Sequence, residues 1–201
     1  MEQCKTKLMT TRNMAKMGIL GAVAGVLMLL EIPLPFAPAF YEIDLSEVAV
    51  LLGTFAMGPV AGIIIEAVKI LVNLVITGTT TAGVGEFANF LIGCCLVAPA
   101  GIIYKRKKNI KNAIIGMLVG IVSMTVAGAL LNYFLLIPVY AKAFGIPVEA
   151  IVEMGTKINP NINSLWDLIL LANVPFNLLK GVLSGVITFL IYKKLSPILH
   201  K

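Results

Sequence analysis

The sequence predicts an all-α membrane protein: six transmembrane helices in a compact bundle, with both termini on the cytoplasmic side. Three observations carry this expectation. Hydrophobic residues make up 59% of the 201 residues and charged residues only 13%, whereas a soluble domain is roughly 25% charged and about 45–50% apolar. The apolar residues fall in runs approaching the roughly 20 that a helix needs to cross a hydrocarbon core about 30 Å thick. The basic residues gather in three clusters, which one alternating six-helix path brings to the same side. Spans of this length use up most of the chain, so 1–201 reads as a single domain in a cell membrane.

Taken in order, helix 1 is expected from about Met14 to Ile32, stopped by Pro33-Leu34-Pro35 because proline cannot continue a helix interior. The basic start, the apolar run from Met17 to Leu30 and Ala37-Pro38-Ala39 also mimic a cleavable signal peptide. The run is long enough to span, so it is read as retained. After a loop over Pro33–Ile43, Asp44 stands three residues ahead of Glu47, the spacing of a capping box that opens helix 2, Leu45 to Met57. That helix is short for a span, so it is expected to be tilted, re-entrant or partly shielded by the preceding loop. Gly58-Pro59 turns the chain into helix 3, about Val60 to Ile76. A Gly- and Thr-rich loop precedes helix 4, about Gly85 to Tyr104, and helix 5 follows from about Ala113 to Tyr140. Residues Ala141–Asn163 read as the longest polar connection. Ser164 with Asp167 is a second capping-box match, and it opens helix 6, which runs to about Tyr192.

Lysine and arginine orient this path. Lys5, Lys7, Arg12 and Lys16 precede helix 1; Lys105, Arg106, Lys107, Lys108 and Lys111 fill the turn between helices 4 and 5; Lys193, Lys194 and Lys201 follow helix 6. The opposite loops hold only Lys142 and Lys157 against Glu42, Asp44, Glu149 and Glu153. The positive-inside rule places the basic side in the cytoplasm. The net charge of +6 is thereby assigned to membrane orientation and not to nucleic acid.

Several function classes find no support. The chain has no GxxxxGK[ST] phosphate loop, no HExxH pair and no GxSxG elbow. Cys4, Cys94 and Cys95 lack metal-ligand spacing, and the single histidine, His200, lies next to the C-terminus. No catalytic residue, metal site or cofactor is expected. A binder without an energy source needs partners.

The informative residues are the polar ones inside spans, because ionisable groups in a bilayer face the bundle interior or a cavity. Lys69 has Glu66 three residues before it and Asn73 four after it; a structural pair explains this as well as a site does. On helix 6, Asn173, Asn177 and Lys180 lie at i, i+4 and i+7, in one row, with no acidic residue within a turn of Lys180. Asn132 on helix 5, Glu86 and Asn89 on helix 4, and Asp44 and Glu47 on helix 2 fall toward the same outer half. Interhelical hydrogen bonding explains one or two such asparagines. A convergent set with an unpaired lysine points instead to a ligand pocket. Asparagine both donates and accepts while lysine only donates, which suits a neutral, planar ligand with carbonyl and N–H edges. Phe36, Phe40, Tyr41, Phe87, Phe90, Tyr133, Phe134 and Phe176 offer candidate walls. On helix 1, Ala15, Gly18, Ala22 and Gly25 form a small-residue stripe that fits either packing within the bundle or docking of a partner helix.

Three segments near the start carry a resemblance: Arg12-Asn13-Met14-Ala15-Lys16-Met17-Gly18, Glu31-Ile32-Pro33-Leu34-Pro35-Phe36 and Ile43-Asp44-Leu45-Ser46-Glu47-Val48. Three more continue it: Met57-Gly58-Pro59-Val60-Ala61-Gly62, Gly83-Val84-Gly85-Glu86-Phe87-Ala88-Asn89-Phe90 and Val174-Pro175-Phe176-Asn177-Leu178-Leu179-Lys180. Together these resemble the riboflavin-specific substrate-binding subunits, or S components, of energy-coupling factor vitamin transporters. The resemblance implies riboflavin captured from the extracellular side and delivered inward by a module of one transmembrane coupling protein and two ATPases, the loaded subunit toppling in the membrane. It implies that Asn132, Asn177 and Lys180 hydrogen-bond the vitamin, with Asn173 in the same row. It further implies that the loop after helix 1 acts as a lid near Phe40 and Asp44, and that Glu86 and Asn89 complete the site. The family's paired alanines of helix 1 correspond to Gly18 and Ala22, next to Ala15, as the surface for the coupling subunit. Two alternatives stand beside this reading: an S component for a different vitamin, and a structural membrane assembly protein whose polar groups only join helices.

Overall fold

The computed structural model describes residues 10–34, 38, 41–79 and 83–199, with side chains to Tyr192. Helix α1, Thr11–Met28, is capped by the Thr10 hydroxyl, which accepts from the Asn13 N–H. It ends four residues before the expected Ile32. A residue preceding proline is driven toward extended backbone, and here Ile32–Pro33 forms strand β1, paired antiparallel with β2, Glu42–Ile43, so that Ile32 faces Ile43 and Pro33 faces Glu42.

Helix α2, Ser46–Met57, answers the question its length posed. All ten residues from Ser46 to Phe55 are buried. Helices α1, α3 (Pro59–Thr77), α4 (Val84–Arg106) and α7 (residues 165–199) surround it. A helix apolar on every side belongs in the interior of a bundle, so α2 is shielded by helices on all sides. The capping box expected at its start does not form. Its N-cap is Leu45, without a side-chain bond; Asp44 takes the Ser46 N–H instead of the Glu47 N–H, and the Glu47 carboxylate turns to Lys69.

Gly58, at φ 103°, makes the turn that Pro59 follows as the first residue of α3. Close backbone approach joins α4 to α5, Ile110–Phe144. A Cβ at Gly120 would lie 2.5 Å from the Leu96 carbonyl oxygen, so only glycine permits this contact. Helix α5 contains a π-helical turn over Asn132–Leu136 and runs four residues beyond the expected Tyr140.

The stretch expected as a polar connection, Ala141–Asn163, is not merely a linker. Gly145 ends α5 in the left-handed region, and Val148–Thr156 forms a short helix, α6, whose Ile151 and Gly155 are buried. Helix α7 spans 165–199 and starts with the expected cap, the Ser164 hydroxyl accepting from the Asp167 N–H. It includes a second π-helical turn, Ile169–Asn173.

Among the described residues, α3, α4, α5 and the Leu165–Tyr192 part of α7 are each long and apolar enough to cross a membrane. The α1 helix opens with polar Thr11, Arg12 and Asn13, and α2 has only 12 residues. Two hydrophobic clusters fill the bundle. One, at the end bearing the basic residues, joins Met17, Leu51, Phe55, Ile65, Leu96 and Met117. The other caps the opposite end with Tyr41, Ile137, Ile151, Ile162, Leu168 and Phe176. The polar side chains lie between them.

Candidate functional site

A cavity of about 900 Å³ opens at the end opposite the basic turn, within the size range of small-molecule sites. Of the residues expected to contact ligand, Asp44, Glu86, Asn89, Asn132, Asn173, Asn177 and Lys180 all line it. Phe40 lies outside the described residues.

Two sets of buried charges build the wall. Lys180 Nζ donates to Asp44 Oδ2 at 2.8 Å, both side chains at most 7% exposed. This corrects the expectation of an unpaired lysine: its partner comes from 136 residues away, a separation at which helical spacing is silent. The Ser46 N–H donates to the other oxygen, Asp44 Oδ1, at 2.8 Å. Burial pushes the Asp44 carboxyl up, but the ammonium groups of Lys180 and Lys69 and these hydrogen bonds outweigh it and hold the carboxyl at about 2. Stability from a carboxyl held below its ordinary value is present above that value and lost as pH falls through the held one. The pair therefore survives moderate acid.

Behind this pair, Lys69 Nζ donates to Glu47 Oε1 at 2.8 Å and lies 2.5 Å from Glu66 Oε1, with all three side chains at most 1% exposed. Room for the Glu66 carboxyl comes from α4, where a Cβ at Gly93 would sit 2.3 Å from Glu66 Oε1. The Glu66–Lys69 pair is thus part of a three-membered ion cluster, and Glu47 reaches the cavity wall.

The asparagines are arranged by the π-helical turns. Asn132 opens one and Asn173 closes the other, and such turns recur at functional sites because the extra residue re-aims side chains. Tyr41 Oη donates to Asn132 Oδ1 at 3.2 Å while Asn132 Nδ2 donates to the Gly128 carbonyl at 2.8 Å. Asn177 Nδ2 donates to the Asn173 carbonyl at 3.0 Å and to Asn173 Oδ1 at 3.2 Å. The Asn173 Nδ2 donor is buried and has no partner, while the residue is 1% exposed and lines the cavity. A buried, unspent donor costs free energy unless something fills its valence.

The aromatic expectation divides. Tyr41 and Phe176 line the cavity, their ring centroids 5.2 Å apart. Phe87 and Phe134 are exposed, and Tyr133 stacks on Trp166 instead. Phe36 lies outside the described residues. Tyr140, Phe144, Ile151 and Met154 also form wall, as do Glu31 and Glu42. The first four come from the segments read as a helix end and a linker, where the i, i+4 spacing of Tyr140 and Phe144 was the available signal.

The small-residue stripe also divides. Gly25 packs against Val72 of α3, whereas Ala15, Gly18 and Ala22 are exposed, and a Cβ at Gly18 would meet nothing within 4 Å.

Residues 12–192 match the family described as "ECF transporter, substrate-specific component". The chain is 34% identical over 197 residues to "Riboflavin transporter RibU" of Staphylococcus aureus (strain TCH60), covering 98% of this chain and 97% of that one. It is 30% identical over 190 residues to "Riboflavin transporter FmnP" of Bacillus subtilis (strain 168), covering 94% of each. A solved structure described as "Structure and mechanism of the S component of a bacterial ECF transporter" superposes with a TM-score of 0.72 at 33% identity, covering 94% of this chain and 97% of that one.

Removing the central cation of the ion cluster leaves two buried carboxylates facing each other. Lys69→Met is expected to cost about 3–5 kcal/mol, read as a lower melting temperature in detergent. Adding Glu66→Gln should recover part of the loss; no recovery would contradict the ion-cluster assignment.

Proposed function

Because the chain belongs to the substrate-specific components of ECF transporters, we propose that it binds riboflavin in this cavity and hands it to an ATP-driven import module. It is a multi-pass membrane protein and a transport component, not an enzyme. The observation that carries the ligand assignment is the unspent Asn173 Nδ2 donor beside Asn177, in a cavity walled by Tyr41 and Phe176. With its Nδ2 turned to Asn173, Asn177 presents Oδ1 as an acceptor. A neighbouring donor and acceptor complement the carbonyl and N–H edge of the flavin ring. The aromatic and aliphatic walls suit its flat apolar body. Asn132, Asn177 and Lys180 are assigned to the vitamin's polar edge, with Asp44, Glu86 and Asn89 completing the site.

The path proposed for the bundle crosses the membrane six times, with α2 as the sheltered central crossing and both termini in the cytoplasm. The basic clusters support this orientation, which turns the cavity to the extracellular side. The partners proposed are a transmembrane coupling protein and two ATPase subunits. The exposed small side chains Ala15, Gly18 and Ala22 on α1 are the surface proposed for the coupling protein, since small residues allow close helix approach.

Protein purified from riboflavin-replete cells is expected to be yellow, and after removal of the flavin to quench riboflavin fluorescence on titration. Asn177→Ala should weaken that binding at least tenfold, about 1.4 kcal/mol or more, with little loss of folded protein. Colourless protein that leaves riboflavin fluorescence unchanged would overturn the assignment. Ala22→Trp should spare riboflavin binding by purified protein and abolish uptake by cells carrying the module; unchanged uptake would remove α1 from the coupling surface.

A further inference from the structure

Five carboxylates line the cavity, those of Glu31, Glu42, Asp44, Glu47 and Glu86, against the single ammonium of Lys180 among the described residues. The inner charges are spent on one another. Lys180 is held by Asp44 at 2.8 Å, and Glu47 is held by Lys69 at 2.8 Å. Among the described residues, no lining ammonium is without a carboxylate partner. Glu31 and Glu42 differ from the inner pair. The β1–β2 register, which sets Pro33 opposite Glu42, brings them side by side, Glu31 at the surface and Glu42 half-buried. Both line the cavity, and neither has an ion-pair partner among the described residues, which places two acids near one another in the wall.

We propose that the Glu31–Glu42 carboxyl pair is a selectivity element that disfavours anionic, phosphorylated forms of the ligand. The proposal rests on the riboflavin reading and extends it to what the site rejects. A neutral ligand meets the buried Asn173 donor and gains from it. A phosphate ester carries a charge of about −1.5 to −2 into a cavity whose one cation is already paired, and an unpaired anion pays its desolvation without return.

The same pair makes the discrimination depend on pH. Glu31 is pushed up to about 7 by partial desolvation in the cavity wall, by the neighbouring Glu42 carboxyl and by Asp44, with Lys180 opposing. Tyr41, Glu47, Glu86 and Tyr140 face the same cavity. Glu31 carries its negative charge above that pH and loses it below, so rejection strengthens as pH rises.

The test titrates the purified full chain with riboflavin and with riboflavin 5′-phosphate, comparing the unsubstituted protein with Glu31→Gln, Glu42→Gln and the double variant. The ratio of the two Kd values is expected to fall about tenfold in the double variant at pH 8, the scale of two charges screened by partial solvation. Each single variant should fall part of the way, which keeps the test readable if the double variant folds poorly. Between pH 8 and pH 6 the ratio should fall further in the unsubstituted protein than in the double variant, whose residual change measures protonation of the phosphate itself. An unchanged ratio in all three variants overturns the proposal while leaving riboflavin binding in place. Failure of riboflavin to bind the unsubstituted protein overturns both readings.

Discussion

The structure depends on a single constraint: an ionised group inside a bilayer must find its counter-charge inside the protein. Lys180 meets that requirement with Asp44, 136 residues earlier in the chain. The contact fixes the segment between β2 and α2 against the middle of α7, and so determines where the cavity wall lies. Lys69 meets it with Glu47 and Glu66, joining α2 to α3 from behind. Since Asp44 and Glu47 flank the start of α2, the two ion contacts clamp one short helix from two sides. Hydrophobic burial alone would leave the rotation of α2 loosely specified, because α2 is buried on every side.

With Lys69 and Lys180 held by carboxylates, the cavity keeps directional polarity and little free positive charge. The asparagines supply that polarity. Each spends part of its amide on local backbone or on a neighbour, which orients the remainder. The two π-helical turns accomplish the same end in the backbone. The upper hydrophobic cluster, built partly from α6, closes over this polar layer. A site of this kind recognises shape and hydrogen-bond pattern, and it suits a neutral, flat, polar-edged molecule.

Much of this was legible in the residues, for reasons that differ by element. Helices α3, α4, α5 and α7 announce themselves by apolar length, and the Ser164 cap by its spacing. The row Asn173, Asn177, Lys180 follows from helical periodicity alone, and the structure brings it to the same cavity as Asn132, Glu86, Asn89 and Asp44. Three features were not legible. The partner of Lys180 is distant in sequence, so local spacing gave a false impression of an unpaired charge. The Asp44–Glu47 spacing matched a capping box, yet Asp44 takes the Ser46 N–H and the Lys180 ammonium, and Glu47 turns to Lys69. The π-helical turns and the wall contributed by α6 depend on tertiary packing, which no propensity encodes.

The Asp44–Lys180 ion pair is the contact on which the cavity depends. A double-mutant cycle of Asp44→Asn and Lys180→Met, read by thermal unfolding in detergent, tests it most directly. Each single change strands the other charge in a buried site, while the double change strands none. The double variant is expected to melt above either single variant, with a coupling energy of about 1–3 kcal/mol. Effects that simply add would show that the two charges do not depend on one another, and would contradict the claim.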